Sequence, residues 1–384
     1  IMGIFRGPGV VNDGLVFGFD TGYPISDNTT ATRFYPGEPT TNLLTQTGGS
    51  SLDTRSDIYQ NTTKTDLGGG KYRFVNDGTG ASTVRLYANL NDLTNGNTYG
   101  CSLSYEQFIG TSFSIDWCDA GTTAFSKSTY GTANRVNMSN ASSTYNSTYR
   151  FMDINLPLNS SIVLFDAQVE EGVSSPFTTS SRSNTASLID LKRTTSIDVG
   201  DVSFDSTGQP DFDGTDDHIV ASPSNISLGT SLTMEVWIYP TGYNHSRMYL
   251  MDPRGDGNTN GTNAYFLFDY HQSPDTVHVV AGNSNIEVQS SNFSMPLNNW
   301  HNIVATRNGN SWVIYHNGVS VGTGTTNTTS LTLNNNFRIG TYASGSSGQY
   351  FFEGLMAVAK IYNTGLSASE VAQNFNAYKN RFNT

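Results

Sequence analysis

The sequence predicts an all-β protein: two antiparallel jelly-roll β-sandwiches plus a short C-terminal helix. Three observations carry the fold class. Short runs of alternating apolar and polar residues recur between Gly, Asn and Pro turn signals, the pattern of a sandwich. Only one segment keeps a helical period. The composition is that of a polar-surfaced β protein: Ser, Thr and Asn make up about a third of the chain, with 38 Gly, 12% aromatic and only 14% charged residues. A length of 384 residues is long for one sandwich and suits two domains. The 36% hydrophobic content supplies packed cores and argues against disorder. The chain has no run of 18 apolar residues, so no membrane span is expected. With a net charge of -12 and no basic run it would repel a phosphate backbone, which excludes nucleic acid as a partner.

The elements follow in chain order. Residues 1–13 are too rich in Gly and Pro for regular structure and read as an N-terminal arm. No charged start leads into an apolar core, so no Sec signal is expected. Ile4, Phe5 and Arg6, with Val10, are candidates for contact with a neighbouring subunit; a disordered arm is the equal alternative. Tyr99–Glu106 and Ser112–Trp117 read as a hairpin with Cys101, Leu103 and Tyr105 on one strand and Phe113, Ile115 and Trp117 on the other. If those sets share a face, Cys118 points away from Cys101, which favours two thiols over a disulfide.

From Leu232 the strands come in succession. Leu232–Ile238 alternates and ends at Pro240. Tyr265–Phe268, Val277–Val280 and Asn302–Thr306 follow. Ser311–Tyr315 and Val319–Val321 are joined through Asn317-Gly318, the strongest short hairpin signal. Phe337–Ile339 and Leu355–Tyr362 complete the set. Ser367 and Glu370 form a capping box for a helix reaching Phe382, with Val371, Phe375, Tyr378 and Phe382 at helical spacing.

Four of these blocks also carry a resemblance: Phe212–Ile219, Leu232–Pro240, Trp300–Thr306 with Ile314–Gly318, and Phe352–Gly354 with Ile361–Glu370. Their order and spacing over roughly 170 residues resemble the laminin-G-like, concanavalin A-like jelly roll, and the tail from Glu370 to Phe382 resembles its variant in virion proteins of tailed phages. Gly14–Pro24 is similar to the opening strand of that jelly roll. The block expected next, Ala186–Leu191, comes only some 150 residues later, which implies an inserted domain. The boundaries expected are 14–41 with 184–384 for the discontinuous concanavalin A-like sandwich and 42–183 for the insert. Ala167–Gly172 with Ser175–Phe177 resembles the closing motif of carbohydrate-binding-module-like jelly rolls. A string of separate domains, with 1–41 as an arm, is the alternative.

The chemistry is sparse. Glycosidases of this fold need two carboxylates flanking the scissile bond, and Glu235-Val-Trp-Ile-Tyr239 offers one. No nucleophile elbow or zinc-protease motif occurs, so an enzyme is not expected. Asp256, Asn258 and Asn260, followed by Gly261, match the first half of a calcium loop, but Leu267 stands where a bidentate Glu is needed, and an Asn/Gly turn is the favoured reading. Asp213, Asp216 and Asp217 form an acidic cluster that reads as a structural turn; no cofactor is required, and calcium is the one candidate ion. For sugar binding, an aromatic platform beside polar groups is needed. Glu235, Trp237 and Tyr239 on the polar face of their strand, with Tyr243, His245, Arg247 and Tyr249 beyond, are the leading candidates, although Trp237 belongs to a block of the resemblance and structural packing is its alternative reading. Tyr87, Tyr105, Trp117 and Tyr130 are weaker ones.

The resemblance and composition together imply a non-enzymatic virion structural protein: a tail fibre, spike or head-decoration subunit at the virion surface. Its expected partners are other virion subunits, in a homotrimer by analogy with phage fibres, and host-surface glycans. The alternatives are a secreted or surface glycan-binding module of a bacterium and, last, a glycoside hydrolase.

Overall fold

The computed structural model describes residues 9–383 except 23–24, 27–32, 35–36, 38, 43–55, 60–61, 81, 87–98, 118–121, 128–133, 141–151, 173–174, 176–180, 206, 253–265, 272–274, 282–286, 327–329, 334–335 and 342–349. It is an all-β molecule of two compact units. One comprises Ile1–Tyr23, Asn184–Asp205 and Gln209–Thr384, the other Pro24–Ser183 with Ser206–Gly208.

The first unit is a sandwich of two antiparallel sheets. One runs in the order Ser203–Phe204, Pro210–Asp213, Glu353–Tyr362, Ser231–Pro240, His301–Asn308, Ser311–His316, Val319–Thr325. The strand Leu15–Asp20 pairs with the same edge of Glu353–Tyr362, Gly18 opposite Lys360 and Asp20 opposite Val358. The facing sheet runs Thr195–Asp198, Ile219–Pro223, Phe337–Ile339, Arg247–Asp252, Phe266–His271, Thr276–Ala281, Glu287–Gln289. Alternation decides what lies between them. Leu232, Met234, Val236 and Ile238 point inward with Ile303, Ala305, Ala359 and Ile361, and meet Ile219, Met248, Leu250, Val277 and Ile339 from the other sheet. Phe17 joins this core, its ring 5.0 Å from that of Phe337 in an edge-on contact.

Two links fix the opening strand in place. Leu191 N–H donates to the Gly18 carbonyl and Gly18 N–H to Asp190 Oδ1. Gly18 is required there, since a Cβ would lie 2.8 Å from Lys360 Cγ. The Asn317-Gly318 turn joins His316 directly to Val319, as its sequence predicts. The helix Ala368–Phe382 starts at the Ser367 cap with the reciprocal Glu370 bond, and Asn383 ends it in a left-handed conformation.

The second unit is also a two-sheet sandwich. Its sheets run Thr122–Lys127, Phe113–Trp117, Met152–Leu156, Ser82–Leu86, Ser56–Tyr59, and Asn134–Asn140, Tyr99–Ile109, Ser161–Glu171, Lys71–Asn76, Thr62–Gly68. This corrects the expected hairpin. Tyr99–Ile109 pairs with Asn134–Asn140 and Ser161–Glu171, whereas Phe113–Trp117 pairs in the opposite sheet. The two alternating sets therefore meet across the core rather than side by side, with the Tyr105 and Phe113 rings 5.0 Å apart. Alternation alone cannot tell two strands of one face from two faces that oppose each other. Cys101 lies in this core; Cys118 is outside the described residues. In the segment resembling a closing motif, the buried Glu170 carboxylate accepts bonds from the Ser175 N–H, the Ser175 hydroxyl and the Gln168 amide, all at 2.6 Å.

The placement of the opening strand has a direct consequence. Phe17→Ala should destabilise the first unit by about 3–5 kcal/mol, as a fully buried aromatic does when truncated. Chemical denaturation followed by tryptophan fluorescence checks it, because Trp237, Trp300 and Trp312 all report from this unit.

Candidate functional site

The outer face of the sheet that holds Ser231–Pro240 is covered by the C-terminal helix, and this decides the fate of two predicted site residues. Trp237 is fully buried, stacked on Phe382 at 4.5 Å and on Phe375 at 5.7 Å, with Tyr378 edge-on. Glu235 is fully buried beside it and accepts from Asn374 Nδ2 at 2.8 Å and Asn302 Nδ2 at 3.3 Å. Neither side chain is offered to a ligand. The sequence placed both correctly on the face away from the core; it did not reveal that the amphipathic helix lies on that face.

Around Glu235 the helix and sheet enclose a polar cluster. Lys360, directly across from Glu235, donates to the Tyr378 hydroxyl at 2.5 Å, and that hydroxyl donates to Asp20 Oδ2 at 2.6 Å. Arg381 pairs with Asp20 Oδ1 at 2.5 Å. Asn374 bridges Glu235 and Tyr362, and its Oδ1 accepts from the Val11 N–H at 2.8 Å. Burial pushes the Glu235 carboxyl up, opposed by Lys360 and the amide donors, and pushes the Lys360 ammonium down, opposed by Glu235 and Asp20. Val10 and Val11 pack on this same region of their own chain, with the Tyr362 hydroxyl donating to the Val11 carbonyl. Val10 is thus half-buried against its own chain; Ile4, Phe5 and Arg6 lie outside the described residues.

An open cleft of about 690 Å³ sits where the strand Ser231–Pro240 ends. Tyr239 forms one wall, its ring 5.4 Å from the half-buried Trp300, which in turn lies 4.5 Å from Phe382. The 294–300 loop supplies Asn298 and Asn299 at the rim, held by the bond from Asn298 N–H to the Pro240 carbonyl. His301 and His316 line the floor, His301 Nδ1 3.0 Å from His316 Nε2. Burial and the neighbouring His301 push His316 down to about 4, and burial pushes His301 down as well. Of the predicted residues only Tyr239 belongs here. Trp300, Asn298 and the histidines were missed as a site, because they come from a loop, a strand start and a hairpin separated in sequence; the aromatic pair Tyr239 and Trp300 was the available signal.

The remaining candidates lie elsewhere. Tyr243 stacks on Tyr270 at 5.7 Å and donates to the Met295 carbonyl at 2.5 Å, a structural role. His245 stands 5.9 Å from the Tyr350 ring, and Arg247 pairs with Asp269 and lies over Tyr249. Tyr105 is core. Tyr87, Tyr130, the Trp117 side chain and the Asp256, Asn258 and Asn260 loop lie outside the described residues. Asp213, Asp216 and Asp217 hold carboxylate oxygens within 4.8 Å of one another. Asp213 accepts the Thr215, Asp216 and Asp217 N–H groups, so it organises the turn. Burial and the surrounding aspartates push Asp217 up to about 6.

The family model described as the concanavalin A-like lectin/glucanases superfamily, of laminin-G type, matches residues 213–372, so this part of the first sandwich is similar to that family. No curated protein sequence matches the chain. Similar solved structures include the botulinum neurotoxin serotype D binding domain, at 13% identity and TM-score 0.40, over 50% of this chain and 49% of the toxin chain. The chain therefore aligns with about half of that domain's length. The carbohydrate-binding module CBM40 of the Ruminococcus gnavus IT-sialidase, solved with α2,3 sialyllactose, is similar at 14% identity and TM-score 0.32, over 37% of this chain and 80% of that one. Domain 4 of the Geobacillus stearothermophilus GH43 extracellular arabinanase AbnA, solved with arabinotriose, has the same identity and TM-score over 48% and 81%. Among the described residues no helix is long and apolar enough to cross a membrane.

Two outcomes follow from this geometry. Trp237→Ala should cost about 3–5 kcal/mol of stability, read in a melting curve, because it empties the space under the helix. Asp217→Asn should raise the melting temperature at pH 7.5. The folded pKa of Asp217 lies above its unfolded value, so ionisation costs stability as pH rises through about 6. The gain should shrink as the pH falls from 6 toward 4, because over that range the wild-type carboxyl is protonated in the folded state and ionised in the unfolded one.

Proposed function

We propose that the protein is a non-enzymatic glycan-binding display protein, and that its sugar site is the cleft lined by Tyr239 and Trp300. The observation that carries this reading is the pairing of an accessible aromatic wall with rim amides, the combination that stacks a sugar ring and orients its hydroxyls. The residues lining the cleft include no carboxylate, and the carboxylate of the central strand, Glu235, is buried beneath the helix. An acid and a nucleophile on either side of a glycosidic bond are therefore not available from this set. No cofactor is needed for such binding; the 256–260 loop is the calcium position consistent with it.

The same reading extends to a place at the surface of a tailed-phage virion, as a tail fibre, spike or head-decoration subunit, homotrimeric and packed on other virion subunits. Its support is the low-charge, Ser/Thr/Asn-rich composition and the opening and closing blocks that resemble phage proteins. Mass spectrometry of purified virions and sedimentation of the recombinant chain test these two parts. Absence from particles would leave a bacterial surface module, and a stable monomer would remove the trimer.

For the cleft, a glycan array is the direct measurement. Binding by the intact chain should fall about tenfold or more in Trp300→Ala, as for a central aromatic anchor. Binding untouched by Trp300→Ala would move the site elsewhere.

A further inference from the structure

We infer that this cleft selects an uncharged saccharide and turns away acidic ones, those carrying a sialic or uronic acid carboxylate; the inference rests on the glycan-binding reading above and specifies its ligand class. Three independent features of the site point the same way.

The first is the lining itself. Tyr239, Ser294, Asn298, Asn299, Trp300 and Asn383 present hydroxyls, carboxamides and rings, and among the described residues none that lines the cleft is Lys, Arg, Asp or Glu. A carboxamide both donates and accepts, as does a sugar hydroxyl, so the match is to neutral polar groups. A carboxylate brought into the cleft would lose water without gaining a cation, an arrangement that costs free energy.

The second is the histidine pair, the one titratable element among the lining side chains that could turn cationic near neutrality. Its hydrogen bonds specify the neutral tautomers. His301 Nε2 lies 3.0 Å from the Pro296 carbonyl, which can only accept, so Nε2 carries the hydrogen. His301 Nδ1 is then an acceptor, and His316 Nε2, 3.0 Å away, donates to it. A proton added to His301 Nδ1 would force His316 to move its hydrogen to Nδ1, and burial opposes the charge on both rings, pushing His301 down and His316 to about 4. The pair therefore gives the floor hydrogen-bonding capacity without charge.

The third is the helix terminus. Phe382 and Asn383 line the cleft, and Asn383 caps the C-terminal end of Ala368–Phe382 with its N–H on the Lys379 carbonyl. The last carbonyls of a helix carry about half a negative charge and repel an anion nearby. Two basic residues sit in that last turn, Lys379 and Arg381. Arg381 is committed to Asp20, and neither lines the cleft. The net charge of -12 adds a long-range field of the same sign.

The test is binding of the full chain at pH 7.5 to arrayed neutral hexose and N-acetylhexosamine glycans beside their sialylated and glucuronylated counterparts. It is repeated with Trp300→Ala, with Ser294→Trp, which fills the cleft from an exposed position, and with Asn299→Arg, which adds a rim cation. Neutral glycans should bind, with at least about tenfold preference over the acidic set, and lose that binding in both Trp300→Ala and Ser294→Trp. Asn299→Arg should narrow the preference. Acidic glycans bound equally or better, with that binding lost in the two cleft variants, would overturn the inference and leave the sugar site in place. Glycan binding that neither cleft variant changes, or none at all, would overturn both.

Discussion

The outer face of the sheet around Glu235 is the constraint on which the rest of the first unit depends. A strand buried on both faces must satisfy every polar group it carries. Here the central strands present Glu235, Lys360 and Tyr362 outward, and water is excluded by the helix. The carboxylates and the ammonium are met by two amides on Glu235, a tyrosine hydroxyl between Lys360 and Asp20, and the Arg381 ion pair at the rim, while Trp237 Nε1 and Asn302 Oδ1 are left without a hydrogen-bond partner. Removing one member strands a buried charge, which costs far more than the intact cluster contributes. The helix is therefore bound by specific partners as well as by Trp237, Tyr378 and Phe382, and its register on the sheet is set.

That register positions the cleft. Phe382 reaches Trp237 on its inner side and Trp300 on its outer side, so the aromatic wall is an extension of the packing under the helix. Tyr239 follows two residues after Trp237 on the same face of the same strand and emerges where the helix ends. A strand that is scaffold at Trp237 thus becomes surface at Tyr239. Tyr239 reaches the cleft for this reason, while its neighbour Trp237, part of the block that carries the laminin-G-like resemblance, packs as scaffold under the helix.

What could be read from the sequence follows the range of the signal. The helix cap, the Asn317-Gly318 turn and the alternation of Leu232–Ile238 are local, and the structure reproduces them within a residue or two. The sandwich order of blocks in 213–372 was legible because four separated motifs fixed it. Pairing was harder. Phe113–Trp117 alternates as a hairpin partner of Tyr99–Ile109 would, yet its partners are Thr122–Lys127 and Met152–Leu156, since period two reports a buried face and not which sheet supplies it. Asn374 shows the same limit from the other side. A polar residue on an amphipathic helix reads as solvent-facing, but here it is buried because Glu235, Tyr362 and Val11 N–H wait beneath it.

The same cluster joins the two ends of the chain. Asp20 and Val11 meet Tyr378, Arg381 and Asn374 across more than 350 intervening residues. Such closure is less costly than the separation suggests, because loop entropy grows with the logarithm of length, about 0.6 kcal/mol for each doubling. A whole second unit can therefore lie between Tyr23 and Asn184 with little penalty to the first, provided the opening strand gains enough on docking. It gains a full antiparallel ladder on Glu353–Tyr362, two buried phenylalanines and a place for Asp20 in the cluster. The cost appears in time instead, since pairing of distant strands slows folding. Leu15–Asp20 must wait for Glu353–Tyr362 to complete its ladder, and for the helix that brings Tyr378 and Arg381 to Asp20.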